Sequence, residues 1–261
     1  MYHPLIIKIT IVSLFTPFTL TNLSATPNSE ELTLINIAGK QRMLSQRIAK
    51  DYLYVHKNIA LNKTKKDLRI SLASFFKSHK ILVLTIQNEE VKNLLEFVEL
   101  SSNDFNQTLQ KPFNLDNAQL ILDLSESMLE GSQYVVDSLK SSIKIENSKM
   151  IEIAGKQRML AQRIAKYYIA YQTGIKDENT VRSMKQTVKE FSQNLTILLS
   201  NEKNTPQIRR KINEINKLWK IVHKFYNNIE KGGLPLIVFN TTDNITKKMN
   251  EITQLYLKVK E

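Results

Sequence analysis

Apolar residues recur with helical spacing along almost the whole chain after residue 30. The pattern predicts four helices in each half of the chain, near 30–60, 65–87, 89–110, 117–142, 147–173, 178–201, 206–230 and 236–259. The breaks between them, such as "KPFNLDN" and "EKGGLP", carry the Pro, Gly, Asn and Asp residues that end helices. No alternation of apolar and polar residues, which would favour strands, competes with this spacing. The sequence therefore predicts an all-α protein.

One short peptide occurs twice, 116 residues apart. Residues 37–50 and 153–166 agree at 13 of 14 positions, and the one difference replaces Ser with Ala. Carried onward without a gap, the same offset still pairs apolar positions, such as Phe75 with Phe191. Core positions can drift among apolar residues because volume and pattern suffice for packing. The near-identity of this one peptide therefore indicates a constraint stricter than packing, within two copies of one structural unit.

We accordingly predict two tandem four-helix up-down bundles, over residues 26–145 and 146–261, related by a pseudo-two-fold axis. If the bundles lie side by side, the chain reverses near "SSIKIENS", between Ser141 and Ser148. The alternative is one continuous helix over residues 117–173, which would stack the bundles end to end. In that arrangement a site shared by the two motif peptides would need a second chain, in a homodimer.

Residues 1–25 have the character of a secretory signal peptide. Their apolar core at residues 9–20 is too short and too interrupted for a good membrane span, which needs about 20 apolar residues. The small residues Ser24 and Ala25 predict cleavage after Ala25 and export to the periplasm. An uncleaved membrane anchor is the alternative. After cleavage the formal charge would be 12 − 1 = +11, because Lys8 is removed.

Composition narrows the classes of function that the chain can perform. The absence of cysteine excludes disulfides, cysteine nucleophiles and thiolate metal sites. The four histidines lie outside the HExxH and ExxH patterns of helical metal sites, so we predict no metal site, no cofactor and no catalytic residue. The formal charge of +12 is dispersed along the helices and is compatible with an anionic ligand. With an export segment and no visible stacking-aromatic platform, we predict no nucleic-acid partner.

On a helix of 3.6 residues per turn, the repeated peptide has two faces that could each pack against another element. One face, with Ile37, Leu44 and Ile48, is ordinary bundle core. The other face surrounds Arg42 with small residues, among them Gly39. A glycine within a helix costs about 1 kcal/mol relative to alanine, so its presence needs a reason. Small residues let a second helix, or a ligand, approach the backbone closely.

The second copy repeats this arrangement at Gly155 and Arg158. A pseudo-two-fold axis would bring Arg42 and Arg158 together, as a symmetric interface brings a residue to its own copy. Two guanidinium groups at close range repel unless an anion lies between them. Their planar, fork-shaped donors suit a small planar oxyanion. The alternative is that both arginines are solvated beside a close-packed seam.

The other polar positions of the motif carry weaker predictions. Gln41 and Gln157 lie among core residues, where either of two roles is open: orienting the bundle or reaching the ligand. A third, more polar arc holds the remaining cations. For these we expect a solvated face: Lys40, Arg47, Lys156 and Arg163.

The peptide "INIAGKQRMLSQRIAK" resembles the opening motif of the PilJ-type sensor domain of type IV pilus chemotaxis transducers. It is also similar to the related periplasmic domain of nitrate/nitrite sensor kinases. The resemblance covers these 16 residues and recurs in the second copy. It implies a four-helix bundle that pairs across its first helix, with nitrate held at the pairing interface by the motif arginine and the nearby glycine backbone. The ligand-binding residues that it implies here are Gly39, Arg42, Gly155 and Arg158.

The resemblance implies a sensory protein rather than an enzyme. Family members usually continue into a second membrane helix and a kinase or methyl-accepting region. This chain carries neither, so we expect it to relay its state to a membrane-bound transducer or sensor kinase. The favoured ligand is a small oxyanion, nitrate or nitrite first. The alternative is a ligand-free interaction module, whose small-residue seam docks onto the similar helix of a membrane transducer.

Overall fold

The computed structural model describes residues 27–141 and 148–259, which form eight α-helices, one 3₁₀ helix and no strand. The elements are α1 (Pro27–His56), α2 (Leu61–Thr85), α3 (Glu89–Leu109), α4 (Leu115–Ser141), α5 (Ser148–Thr173), α6 (Glu178–Ser200), α7 (Pro206–Tyr226), the 3₁₀ helix (Ile229–Lys231) and α8 (Pro235–Tyr256). The all-α prediction is confirmed, and each helix ends within four residues of its predicted bounds. The predicted signal peptide, residues 1–25, lies outside the described residues.

Side-chain caps explain why several helices begin where the sequence indicates. The side chains of Asn88, Asp177 and Thr205 accept hydrogen bonds from backbone N–H groups in the first turns of α3, α6 and α7. A cap of this kind contributes about 1 kcal/mol, because it satisfies a donor that the helix leaves unpaired. In α7 a proline at the first helical position supports the same start.

The seventh helix ends earlier than its prediction. It was expected over 206–230 but ends at Tyr226, and the 3₁₀ helix follows. Gly232 and Gly233 then adopt φ values of +59° and +89°, in the left-handed region that glycine reaches without a steric penalty. These two residues turn the chain into the start of α8, so the helical pattern ends earlier than its apolar spacing suggests.

Each half of the chain closes into a four-helix arrangement. In the first half α1 packs against α2 and α4, and α3 packs against α4 and α2; in the second half α5 packs against α6 and α8, and α7 packs against both of these. One cluster of buried apolar side chains runs through both halves. The repeat-related Phe75 and Phe191 are both fully buried in it. Burial of such a side chain contributes about 1.5–3 kcal/mol.

The two bundles lie side by side, with α1 against α5 in the most extensive contact between any two described helices. The Tyr54 hydroxyl, near the end of α1, donates to the carbonyl oxygen of Pro235 at 2.9 Å. Near the end of α5, the Tyr168 hydroxyl accepts from the N–H of the adjacent Leu234 at 3.1 Å. The C-terminal ends of α1 and α5 therefore meet the same start of α8, so the two helices run parallel. This packing excludes end-to-end stacking within the chain. The reversal predicted between Ser141 and Ser148 falls on residues 142–147, which lie outside the described ranges.

Candidate functional site

The two motif arginines meet at the seam between α1 and α5. Arg42 and Arg158 are each only 1 % exposed, although each lies well inside its helix. The equivalent alanines one turn before them, Ala38 and Ala154, are fully buried, and their small side chains let the helices approach closely. Solvated arginines, the alternative considered from the sequence, are therefore excluded at both positions.

Gly39 and Gly155 lie against both guanidinium groups. A Cβ atom at Gly39 would be 3.3 Å from Nη2 of Arg42 and 3.6 Å from Nη2 of Arg158. At Gly155 the corresponding distances are 3.2 Å to Arg158 and 3.7 Å to Arg42. A methyl group at either position would crowd a buried guanidinium, so the glycines provide space rather than conformational freedom. The four residues singled out in the sequence thus come together, in an almost symmetric arrangement.

Arg42 donates to one acceptor in its own bundle and to one across the seam. Its Nη1 lies 2.5 Å from Oε1 of Gln133 on α4 and 3.2 Å from Oε1 of Glu152 on α5. Glu152 is mostly buried, and its other oxygen lies 3.9 Å from Nζ of Lys140. Arg42 is therefore neutralised by a carboxylate from the opposite bundle.

Arg158 has the same kind of partners but no carboxylate among them. Its Nη1 donates to Oδ1 of Asn250 on α8 at 2.8 Å, and its Nη2 donates to Oδ1 of Asn36 on α1 at 3.0 Å. Asn36 and Glu152 occupy equivalent positions of the repeat, since 152 − 36 = 116. The pseudo-two-fold relation thus holds for the positions that meet across the seam and is broken in charge, with an amide facing one arginine and a carboxylate facing the other.

Burial of the two arginines leaves a cationic charge in the seam. Burial, and then the neighbouring charge of Arg42, lowers the pKa of Arg158 to about 9. Burial also lowers the pKa of Arg42, while Glu152 opposes that shift. Because arginine keeps its proton at neutral pH in proteins, two guanidinium cations share the seam with one contacting carboxylate. The Nε atoms of both arginines are buried and lack a hydrogen-bond partner within the described part of the chain.

This arrangement is suited to binding and unsuited to proton transfer. Guanidinium groups are donors only and do not release a proton near neutral pH, so they cannot act as acid–base catalysts there. Charge-assisted hydrogen bonds from arginine to an oxyanion are about twice as strong as bonds between neutral groups. In residues 27–141 and 148–259, no group of three or more Asp, Glu or His side chains could hold a metal ion.

Gln41 and Gln157 face the interior of their own bundles. Nε2 of Gln41 lies 3.3 Å from Nδ1 of His79 on α2, and Nε2 of Gln157 donates to the carbonyl oxygen of Phe191 on α6 at 3.0 Å. Both glutamine side chains are fully buried. Of the two roles left open by the sequence, these contacts favour orienting the bundle over reaching a ligand.

The solvated face expected for the other motif cations is wrong for three of them. Arg163 pairs with Glu126 at 2.6 Å, Lys156 pairs with Glu190 at 2.5 Å, and Arg47 lies 3.4 Å from a carboxylate oxygen on α2. The side chains of these three cations are no more than about a third exposed, at 22 %, 30 % and 24 %. Arg163 is covered by α4 of the opposite bundle, whereas Lys156 and Arg47 are covered by α6 and α2 of their own bundles.

A second pair of buried cations was not singled out in the sequence. Lys50 and Lys166 are identical in the repeat and fully buried. Nζ of Lys50 on α1 lies 2.7 Å from Oδ1 of Asp243 on α8, and Lys166 on α5 pairs with Glu126 on α4. Each lysine thus reaches the last helix of the opposite bundle. The identity of this lysine in the two copies was the signal available in the sequence. The acidic partners, Asp243 and Glu126, do not occupy equivalent positions of the repeat, so the repeat could not predict them.

The polar partners of the arginines were also missed. Asn36 and Glu152 directly precede the near-identical block, so the difference between the copies at this position was visible in the sequence. Gln133 and Asn250 lie on the last helix of each half, and nothing in their local sequence marks them. Only the packing of α4 and α8 beside the motif helices brings these amides to the arginines.

The comparisons with known proteins agree with the motif. The chain matches the family described as "PilJ: Type IV pili methyl-accepting chemotaxis transducer N-term" over residues 30–92 and 144–245. These two matched segments include both copies of the repeated peptide and together cover more than half of the chain. No curated protein and no solved structure matches the chain.

Proposed function

The chain belongs to the PilJ family of chemotaxis-transducer N-terminal domains, and from this premise we propose that it binds a small oxyanion between Arg42 and Arg158. Nitrate or nitrite is the favoured ligand, with Gly39 and Gly155 providing the space beside the guanidinium groups. The family is one of sensory and signalling domains. Binding would therefore report the presence of the anion to a membrane-bound transducer or sensor kinase.

The observation that carries this proposal is the burial of two guanidinium groups beside one another with a single contacting carboxylate. An unpaired cation in a protein interior is costly, because water no longer solvates it. An anion between the arginines would offset this cost and give the unpartnered Nε donors an acceptor. A small planar oxyanion matches the fork-shaped donors better than a spherical halide does.

Anion binding would act on the packing of the two motif helices. Without a ligand, the two arginines repel one another across the α1–α5 seam. An anion removes that repulsion, so it favours whichever arrangement of α1 and α5 brings the arginines closest. The ligand can shift the equilibrium only by its difference in affinity between two such arrangements. A partner that contacts either bundle could read this shift.

The docking alternative assigned the small-residue seam to a helix of a membrane transducer. In the structure α5 covers that face of α1, and the residues of the seam are buried. The seam is therefore not exposed for a partner helix in this arrangement. This observation favours the anion site over the ligand-free module.

We place the protein in the periplasm, with residues 1–25 as a signal peptide and the two bundles over 26–145 and 146–261. The N-terminal domains of this family are periplasmic in transducers. No helix in the described ranges is long and apolar enough to cross a bilayer. Intact-mass measurement of protein from the periplasm should show Thr26 as the first residue. A full-length species held in the inner membrane would support the uncleaved anchor instead.

A thermal-shift screen followed by calorimetric titration tests the ligand. We expect nitrate or nitrite to raise the melting temperature of the wild-type protein, and to leave unchanged that of a variant with both arginines replaced, Arg42→Ala with Arg158→Ala. Arg209→Ala is the matched control, because Arg209 is exposed on α7, away from the seam. If no small anion stabilises the wild type, the anion proposal fails.

A further inference from the structure

The two halves of the seam differ at one charged position, and we propose that this difference fixes the charge of the ligand. The inference rests on the proposed anion site and concerns its selectivity. Glu152 places one carboxylate beside two guanidinium groups, which leaves a net charge of +1. A site of net charge +1 is matched by one monovalent anion. We infer that Glu152 is the residue that selects monovalent anions and rejects divalent ones such as sulfate.

The contact geometry lets Glu152 act on the charge without occupying the ligand position. Its carboxylate binds Nη1 of Arg42, whereas Nη2 of the same arginine lies beside Gly39 and Gly155. On the opposite side, the equivalent residue Asn36 accepts from Arg158 and adds no charge. Each of the two residues therefore holds the arginine of the opposite bundle, Glu152 at Nη1 of Arg42 and Asn36 at Nη2 of Arg158, while they contribute different charges.

Other ionisable groups lie farther out and are of both signs, with Lys40 acting on Arg158 and Asp137 acting on Arg42. Lys156 and Glu190 form an ion pair. Lys140 lies 3.9 Å from the outer oxygen of Glu152, where its side chain is about a third exposed. Solvent screens a cation so exposed more strongly than it screens the buried arginines. Among the described residues in direct contact with the guanidinium groups, the carboxylate of Glu152 is thus the only anionic one.

A dianion would be disfavoured in this site for a physical reason. It would make the net charge −1 and place a carboxylate within the same low-dielectric seam as a doubly charged ligand. Like charges at such range repel strongly when water is excluded. Replacement of Glu152 by the neutral residue found in the first copy would remove that repulsion and raise the net charge to +2.

The internal repeat supplies the matched variants for the test. Glu152→Asn makes both flanks Asn, with a net charge of +2. Asn36→Glu makes both flanks Glu, with a net charge of 0. The double exchange, Asn36→Glu with Glu152→Asn, restores +1 and places the carboxylate on the opposite side of the pseudo-two-fold axis. Each protein is titrated calorimetrically with sodium nitrate and with sodium sulfate at constant ionic strength.

We expect Glu152→Asn to gain sulfate binding by about tenfold or more, and Asn36→Glu to lose nitrate binding by a similar factor. The double exchange should return both affinities to near the wild-type values. Melting temperatures without ligand confirm that each variant is folded. If the double exchange instead shows the affinity changes of both single variants added together, the charge explanation is wrong and Glu152 acts through local packing.

The outcomes separate this inference from the proposed function. Nitrate binding in the wild type with unchanged sulfate discrimination in Glu152→Asn would overturn the role of Glu152 and leave the anion site intact. Anion binding that appears only in Glu152→Asn would support the counter-charge role and refute the proposed wild-type function. No anion binding in any of the four proteins would overturn both.

Discussion

The two motif helices present the same peptide to each other, and yet the surroundings of their two arginines differ. On both sides a glycine lies against the guanidinium groups and an amide from the bundle's own last helix accepts from the arginine. Across the seam, however, Arg42 meets the carboxylate of Glu152 while Arg158 meets the amide of Asn36. The near-identical block thus sets the position of the cations, and the residue that precedes it sets their balance of charge.

A second difference lies farther along the seam, at the buried lysines. Lys50 is followed by Asp51, which is fully buried, whereas Lys166 is followed by Tyr167. Burial raises the pKa of Asp51 to about 6, although Lys50 acts in the opposite direction. The first half therefore contains a carboxyl that titrates near physiological pH, and the second half has no equivalent at this position. A protein with exact two-fold symmetry could not have a titrating carboxyl in one half and none at the equivalent position of the other.

The largest expected effect concerns the two arginines as a shared site. Each charge-assisted bond contributes about 1.5–3 kcal/mol, so either Arg42→Ala or Arg158→Ala should weaken nitrate binding by about ten- to a hundredfold. The loss of binding free energy in the double variant should be smaller than the sum of the two single losses, because both arginines contribute to the same site. Calorimetric titration should give one nitrate per chain. Two independent sites, each lost with its own arginine, would contradict a shared one.

The next effect separates the halves by pH. The pKa of Asp51 is raised on folding, so its contribution to stability is present below about pH 4 and is lost as the pH rises through about 6. Asp51→Asn removes this loss and should be more stable than the wild type at pH 7.5 by about 3 kcal/mol, or about 6–12 °C. The advantage should vanish near pH 4. Thermal melts across this range test it, with the exposed Asp104→Asn as the control.

A pH-independent gain in Asp51→Asn would show that the carboxyl of Asp51 is not the titrating group.

Asp243, the acidic partner of Lys50, should behave in the opposite way. The paired lysines lower the pKa of Asp243, so its contribution is present at neutral pH and is lost as the pH falls below about 4. Asp243→Asn should therefore be destabilised at pH 7.5, where Asp51→Asn is stabilised.

A smaller effect distinguishes the two arginines without ligand. Arg42→Met removes the closest cation from Glu152, and a mostly buried carboxylate that loses its partner is destabilising. Arg158→Met removes a cation that no carboxylate contacts, and methionine retains most of the volume. We expect Arg42→Met to be less stable than Arg158→Met by about 1–2 kcal/mol in denaturant unfolding. Equal losses would mean that Glu152 does not neutralise Arg42 selectively.

The smallest effect concerns the symmetric part of the seam. Gly39→Ala and Gly155→Ala would each place a methyl group 3.2–3.3 Å from the nearer guanidinium, so the two should weaken nitrate binding equally, by a few fold. Higher helix propensity should offset the crowding by about 1 kcal/mol, which leaves the unfolding free energy little changed. Calorimetry and denaturant unfolding measure the two quantities. Unequal affinities would show that the glycines, too, differ between the halves.

The sequence predicted which two arginines meet, but it did not predict the side chains that surround them. The repeat at an offset of 116 predicted that Arg42 and Arg158 would meet, because a pseudo-two-fold axis pairs equivalent residues. It did not reveal Gln133 or Asn250, since these amides lie on helices that are far from the motif along the chain. It also missed the buried lysines, because a lysine on an isolated helix is most simply solvated.

The sequence by itself determined the eight helices, their grouping into two halves and the small-residue face around each arginine. These features depend on local spacing, capping and repetition, all of which can be read along one chain. Only the tertiary structure decided that α1 lies parallel against α5, and that Glu152 rather than Asn36 supplies the carboxylate to an arginine. The reason is that the charge balance of a buried seam depends on which side chains meet across it. That meeting is a property of packing between helices far apart in the chain.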